Sequence, residues 1–65
     1  MIEVVTEPGG ERHTFERLNT VTQLLGKLGL KYTRVIVIRG DELLTQDRRI
    51  HRGDRLVVRH VVSRG

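Results

Sequence analysis

The stretch Thr20-Val21-Thr22-Gln23-Leu24-Leu25-Gly26-Lys27-Leu28-Gly29 decides how the chain is organised. Val21, Leu24, Leu25 and Leu28 recur at i, i+3, i+4 and i+7, which lines them on one helical face. Thr20 and Gln23 match the Thr-x-x-Gln capping box, so the spacing predicts a helix beginning at Thr20. Gly29 is placed to take the left-handed conformation after the last turn, since a residue without Cβ adopts positive φ at little steric cost. A helix of about nine residues is marginal alone. Its leucine face therefore needs a sheet to lie on.

The flanks read as that sheet. Upstream, Ile2-Glu3-Val4-Val5-Thr6 is β-branched and extended. Glu7-Pro8-Gly9-Gly10-Glu11 reads as a turn, and His13-Thr14-Phe15-Glu16 as a weaker returning strand, so residues 2–16 form an antiparallel hairpin. Downstream, Arg34-Val35-Ile36-Val37-Ile38 is a continuous β-branched run, suited to a strand covered on both faces or central in its sheet. Arg39-Gly40-Asp41-Glu42 turns the chain into a very short strand at Leu43-Leu44. Thr45 to Arg49 is polar and irregular, with Ile50 expected to tuck inward. Arg52-Gly53-Asp54 turns into a last strand, Arg55 to Val62. Alternation puts Leu56, Val58, His60 and Val62 on one face, and Arg55, Val57, Arg59 and Val61 on the other. His60 is thus expected near the sheet end among core residues, with its ring partly wet. The fold class is α+β, one helix packed across a mixed four- to five-stranded sheet. With the first and last strands parallel neighbours and Val35–Ile38 beside the last, the arrangement is a ubiquitin-like β-grasp. The expected domain covers residues 1–62, with residues 63–65 as a flexible tail.

Size and composition narrow the function. The sequence has 65 residues and 7.5 kDa, of which 37% are apolar, nearly all aliphatic. That supports one thin two-layer core and no deep, enclosed substrate pocket. Without cysteine there is no disulfide, thiolate nucleophile or cysteine-ligated metal. The longest apolar run is Val35–Ile38, too short for a membrane span or an ordinary signal peptide, so a cytoplasmic protein is expected.

The formal net charge is +4 and the pI about 10.7. Residues 1–16 hold four acids and one base, whereas residues 48–65 hold six arginines and only Asp54. Arginine favours bidentate pairing with carboxylate or phosphate. The basic C-terminal third suits an acidic protein surface or RNA, but one Phe, one Tyr and no Trp leave little to stack on bases, which disfavours nucleic acid.

Independent catalysis finds no machinery. His13, His51 and His60 are scattered, with no metal-ligand spacing. Ser63 has no rigid base, Pro8-Gly9-Gly10 precedes no helix that could cradle phosphate, and no carboxylate has an apolar pocket to raise its pKa. Arg-Gly-Asp occurs at 39–41 and 52–54 and reads as turn chemistry. What remains is Gly65, a glycine carboxylate on a short stalk that a partner's active site can approach closely. Taken alone, that tail reads as an ordinary frayed end.

The tail has company. Thr20 to Leu30, with its Thr-Val-x-x-Leu-Leu opening, resembles the helix of the ThiS/MoaD family of ubiquitin-like sulfur carrier proteins. Val35–Ile38 with Gly40-Asp41-Glu42-Leu43-Leu44 resembles that family's middle strand and loop, and Gly53-Asp54-Arg55-Leu56-Val57-Val58 its turn into the last strand. Eleven residues follow Asp54, as in the thiamine-type members, and the resemblance spans nearly the whole chain.

The resemblance implies a non-enzyme that binds no cofactor. Its terminal carboxylate is adenylated by a ubiquitin-activating-type adenylyltransferase using ATP, then converted to a thiocarboxylate. A sulfur-accepting synthase or thiolase takes the sulfur into thiamine, molybdopterin or tRNA, and some members are conjugated to lysines. Carried over, Gly65 bears the sulfur, Ser63 and Arg64 enter the partner's active site, and Val57, Arg59 and Val61 form the docking face. The chain is expected to be a monomer when free and to bind no metal or membrane. One position departs: the family ends in Gly-Gly, and here the penultimate residue is Arg64. A partner then pairs Arg64 with an acid or the ATP phosphates. Alternatively, the chain is a non-carrier β-grasp binding module whose arginine-rich sheet face binds RNA or an acidic protein.

Overall fold

A computed structural model describes residues 1–61. Local sequence accounts for each element. Alternation in β1 (Ile2–Glu7) turns Ile2, Val4 and Thr6 to one face, and a turn at residues 8–10 returns the chain as β2 (Glu11–Phe15). The strands run further into the turn than the sequence suggests, and the Gly10 N–H donates to the Thr6 carbonyl at 2.9 Å.

Helix α1 (Val21–Leu28) starts and stops where the spacing predicts. Thr20 Oγ1 accepts from the Gln23 N–H at 3.3 Å, while Gln23 Oε1 accepts from the Asn19 N–H at 2.6 Å, one residue earlier than in the usual box. Further first-turn donors are met from afar. The N–H groups of Val21 and Thr22 reach the carbonyls of Arg48 and Gln46, and the Ile50 N–H returns to Asn19. The polar stretch after the short strand thus completes the start of the helix, satisfying donors that a helix cannot satisfy itself. Gly29, at φ 70°, ends it, and the Leu30 N–H closes back on the Leu25 carbonyl at 2.9 Å.

A 3₁₀ turn (Tyr32–Arg34) leads into β3 (Val35–Arg39), then β4 (Glu42–Leu44) and β5 (Arg55–His60). The five strands lie in the order β2-β1-β5-β3-β4. β5 runs parallel to β1 and antiparallel to β3, and the outer pairs are antiparallel hairpins. This is the α+β, ubiquitin-like β-grasp arrangement, with β5 in the centre.

The helix covers one side of the sheet. Ile2, Val4, Val21, Leu24, Val37, Leu56 and Val58 are each no more than 1% exposed and form the core, with Ile50 tucked in as the sequence predicts. Burying one such side chain stabilises the fold by about 1.5–3 kcal/mol. Leu18, which the sequence pattern leaves unassigned, is also buried there.

For Val35–Ile38 the structure takes the second alternative, a strand inside the sheet: β3 is flanked by strands on both edges and covered on one face only, with Val35 and Val37 buried and Ile36 and Ile38 half-buried. A continuous apolar run does not separate a two-faced core strand from an internal strand with an apolar open face. The placing of His60 among core residues needs correction: it is exposed, although it pairs with buried Val35. The ladder between β1 and β5 ends at Glu7–Arg59, so beyond Arg59 the strand has lost its neighbour on that side. Val62, read as part of the last strand, lies outside the described residues.

Candidate functional site

Two features define the candidate site: the uncovered face of the sheet, and the sheet end at which β5 leaves it. Cross-strand partners share a face. Val5 therefore lies beside Val57, Val57 beside Ile38, and Ile38 beside Leu43, in one row across four strands. Ile36 joins the next row, opposite Arg59. Val5, Val57, Ile36 and Ile38 are half-buried and Leu43 is 64% exposed. No helix covers them.

Charges flank this apolar row in matched pairs. Arg59 Nε and Nη2 both approach Glu7 Oε1 at 3.1 Å, and Arg55 Nε stands 3.6 Å from Glu3 Oε1. The parallel register of β1 and β5 causes this, placing Glu3 opposite Arg55 and Glu7 opposite Arg59. Each arginine of β5 is thus offset by a glutamate of β1, and at these exposures the pairs add little to stability. On this face, Arg12 lies opposite Val5 on the edge strand.

Of the residues assigned to docking, Val57 sits mid-row, Arg59 is exposed and paired, and Val61 is 49% exposed just past the strand. The Val61 N–H donates to the Arg34 carbonyl at 3.0 Å, holding the chain against the turn before β3 as it leaves the sheet. On its other side, Glu7, Pro8, Gly9, Gly10, Arg59 and His60 line an open concavity. Ser63, Arg64 and Gly65 lie outside the described residues. The sequence reading missed Val5, Ile36, Ile38 and Leu43, and strict alternation in β1 and β3 was the available signal for the first three.

The two Arg-Gly-Asp tripeptides meet. Arg39 Nη1 of the first lies 3.0 Å from Asp54 Oδ2 of the second, and Asp54 Oδ2 also accepts the His51 N–H at 2.8 Å. Burial works to raise the Asp54 carboxyl, but the His51 N–H and the Arg39 guanidinium outweigh it and hold the group below its ordinary value. Glu42 bridges Arg39 and Arg48 and is likewise lowered, mainly by the Arg48 hydrogen bond. This cluster braces the turn that aims β5 between β1 and β3. It contributes Arg39 and Asp54 to the scaffold and leaves Asp41 and Arg52 exposed.

His13 lies on β2, His60 on β5 and His51 in the loop between β4 and β5, and among the described residues no three His, Asp or Glu side chains converge on a common point. Among the described residues no helix is long and apolar enough to cross a membrane. No family model matches the chain, and no curated protein matches it.

Proposed function

We propose that the chain is a sulfur carrier whose Gly65 carboxylate is activated and loaded by partner enzymes. The observation that carries the proposal is the strand order. β5 is the central strand, it carries part of an uncovered apolar row, and Ser63, Arg64 and Gly65 follow it in the sequence.

In this reading the Gly65 carboxylate attacks the α-phosphorus of ATP in the activating enzyme, releasing pyrophosphate and forming an acyl-adenylate. Hydrosulfide then attacks the acyl carbon, AMP leaves with the bonding electron pair, and a thiocarboxylate remains. The carrier supplies no catalytic group. In this reading it supplies Gly65, a residue without a Cβ, and a face on which larger enzymes dock. Val5, Val57, Ile36, Ile38 and Leu43 form the apolar centre of that face, and Arg59 and Val61 its border toward the tail. Apolar centre and charged rim is the general anatomy of a protein interface. Arg64 requires a partner channel that accepts a guanidinium. The paired state of Arg55 and Arg59 weighs against the alternative in which this sheet face grips RNA.

The test is incubation of the full chain with a ubiquitin-activating-type adenylyltransferase, ATP and hydrosulfide, followed by intact mass spectrometry. The expected product is heavier by the exchange of one oxygen for sulfur, and deletion of Gly65 abolishes it. A chain that stays unmodified with the adenylyltransferases of its own cell would falsify the carrier function.

A further inference from the structure

From Arg17 to Gly40 the sequence contains no Asp or Glu, yet it contains Arg17, Lys27, Lys31, Arg34 and Arg39. Arg39 is neutralised by Asp54 and Glu42. Arg17, Lys27, Lys31 and Arg34 take part in none of the ion pairs among the described residues. The fold gathers the last two beside the exit of β5. The Arg34 N–H bonds to the Lys31 carbonyl within one 3₁₀ turn, the Arg34 carbonyl holds Val61, and Val35 lies opposite His60. Residues 31–34 and His60 are all exposed.

We infer that Lys31, Arg34 and His60 form a docking corner for a carboxylate-rich protein surface, the one that flanks the active-site mouth receiving the chain beyond Val61. This rests on the carrier reading and names the chemistry of its partner. Three observations favour a protein over a nucleic acid. The corner adjoins the open apolar face along the chain: Ile36 follows Arg34 by two residues, and its cross-strand partner Arg59 precedes His60. Tyr32, 38% exposed, is the only aromatic residue in the turn, too little for a stacking platform. The open-face arginines of β5 that could extend a polyanion track are already paired with glutamates. An unpaired cationic rim beside an apolar patch raises the association rate with an acidic partner and makes that rate sensitive to salt.

Two double variants separate a local corner from overall charge. Lys31→Glu/Arg34→Glu alters the corner. Arg17→Glu/Arg52→Glu changes net charge equally at the opposite end of the sheet, where Arg17 and Arg52 line an open depression with Met1 and Glu16. All four positions are exposed, so both proteins fold, as circular dichroism will verify.

In the first measurement, the isotope-labelled full chain is titrated at low ionic strength with an octaglutamate peptide and with octauridylate RNA, followed by amide NMR. The peptide is expected to shift Lys31, Thr33, Arg34, His60 and Val61, an effect lost in the corner variant and kept in the other. Equal shifts around Arg17 and Arg52, no shifts, or tighter binding of the RNA at the corner overturns the inference. In the second, the rate of thiocarboxylate formation is measured against salt. The corner variant is expected to lose about tenfold in kcat/KM at low salt, with kcat unchanged and the gap closing at high salt. Equal losses in both variants overturn it. Failure of the carrier reading looks different: wild-type chain gains no mass at all, while the titration, which needs no chemistry, still decides the corner.

Discussion

The two faces of the sheet put neighbouring residues of one strand to opposite uses. In β5, Leu56 and Val58 lie under the helix at no more than 1% exposure, while Arg55, Val57 and Arg59 look outward. Both faces hold an apolar row across several strands. Only the covered one is filled by the leucines of α1, and the other keeps its apolar surface beside matched ion pairs. Apolar content alone therefore does not make a core. Coverage does, and an uncovered row is available for a partner.

A charge placed on each face separates the two most strongly. Val58→Asp buries an unpaired carboxylate in the core and is expected to abolish cooperative unfolding in circular dichroism. Val57→Asp is expected to fold with a loss of about 1 kcal/mol, roughly 4–8 °C in Tm for a domain of this size. In the loading assay, Val57→Asp is expected to raise KM, as docking on the open face requires. Comparable destabilisation by both would mean that the open face is packed like the core.

A smaller effect is expected at the brace beneath both faces. Asp54→Asn should cost about 2 kcal/mol by denaturant unfolding, since a carboxylate bonded to Arg39 and the His51 N–H becomes a neutral amide. The sign with pH follows from the lowered Asp54 carboxyl. A group held lower in the folded than in the unfolded chain stabilises at pH above its ordinary value, and that contribution is lost as pH falls through the folded value. Wild-type stability is expected to drop on acidification through and below the carboxylate range. The variant should keep only the shallower dependence left by Glu42 and Asp47, which are also lowered.

Thr20→Ala tests the covered side locally. Losing the side-chain acceptor for the Gln23 N–H should cost about 1 kcal/mol, with Thr20→Ser restoring most of it. The smallest effect belongs to the open face. Glu7→Gln leaves Arg59 unpaired and should change stability by under about 0.5 kcal/mol, an effect that vanishes in high salt.

How much of this was legible in the sequence depends on the range of each interaction. The helix was legible at both ends because its signals are local: Thr20 with Gln23, the leucine spacing, and Gly29. Leu18 was not, since one leucine between Arg17 and Asn19 belongs to no period. His60 was misread because alternation carries no information about where a neighbouring strand stops. In the candidate site, Val57, Arg59 and Val61 followed from alternation in one strand, whereas the row they join needed the register of four.

Element types, their order along the chain and the buried stripe of α1 follow from residues a few positions apart, where propensity, period and capping act. Which face each row serves is a matter of pairing between distant segments. The parallel register of β1 and β5 sets Glu3 and Glu7 against Arg55 and Arg59, and Arg39 meets Asp54 across fifteen residues of sequence. Those contacts pair both arginines of the last strand with glutamates and leave Lys31 and Arg34 outside the ion pairs among the described residues, beside Val61. No local pattern encodes that division, because it depends on which segments the closed sheet makes neighbours.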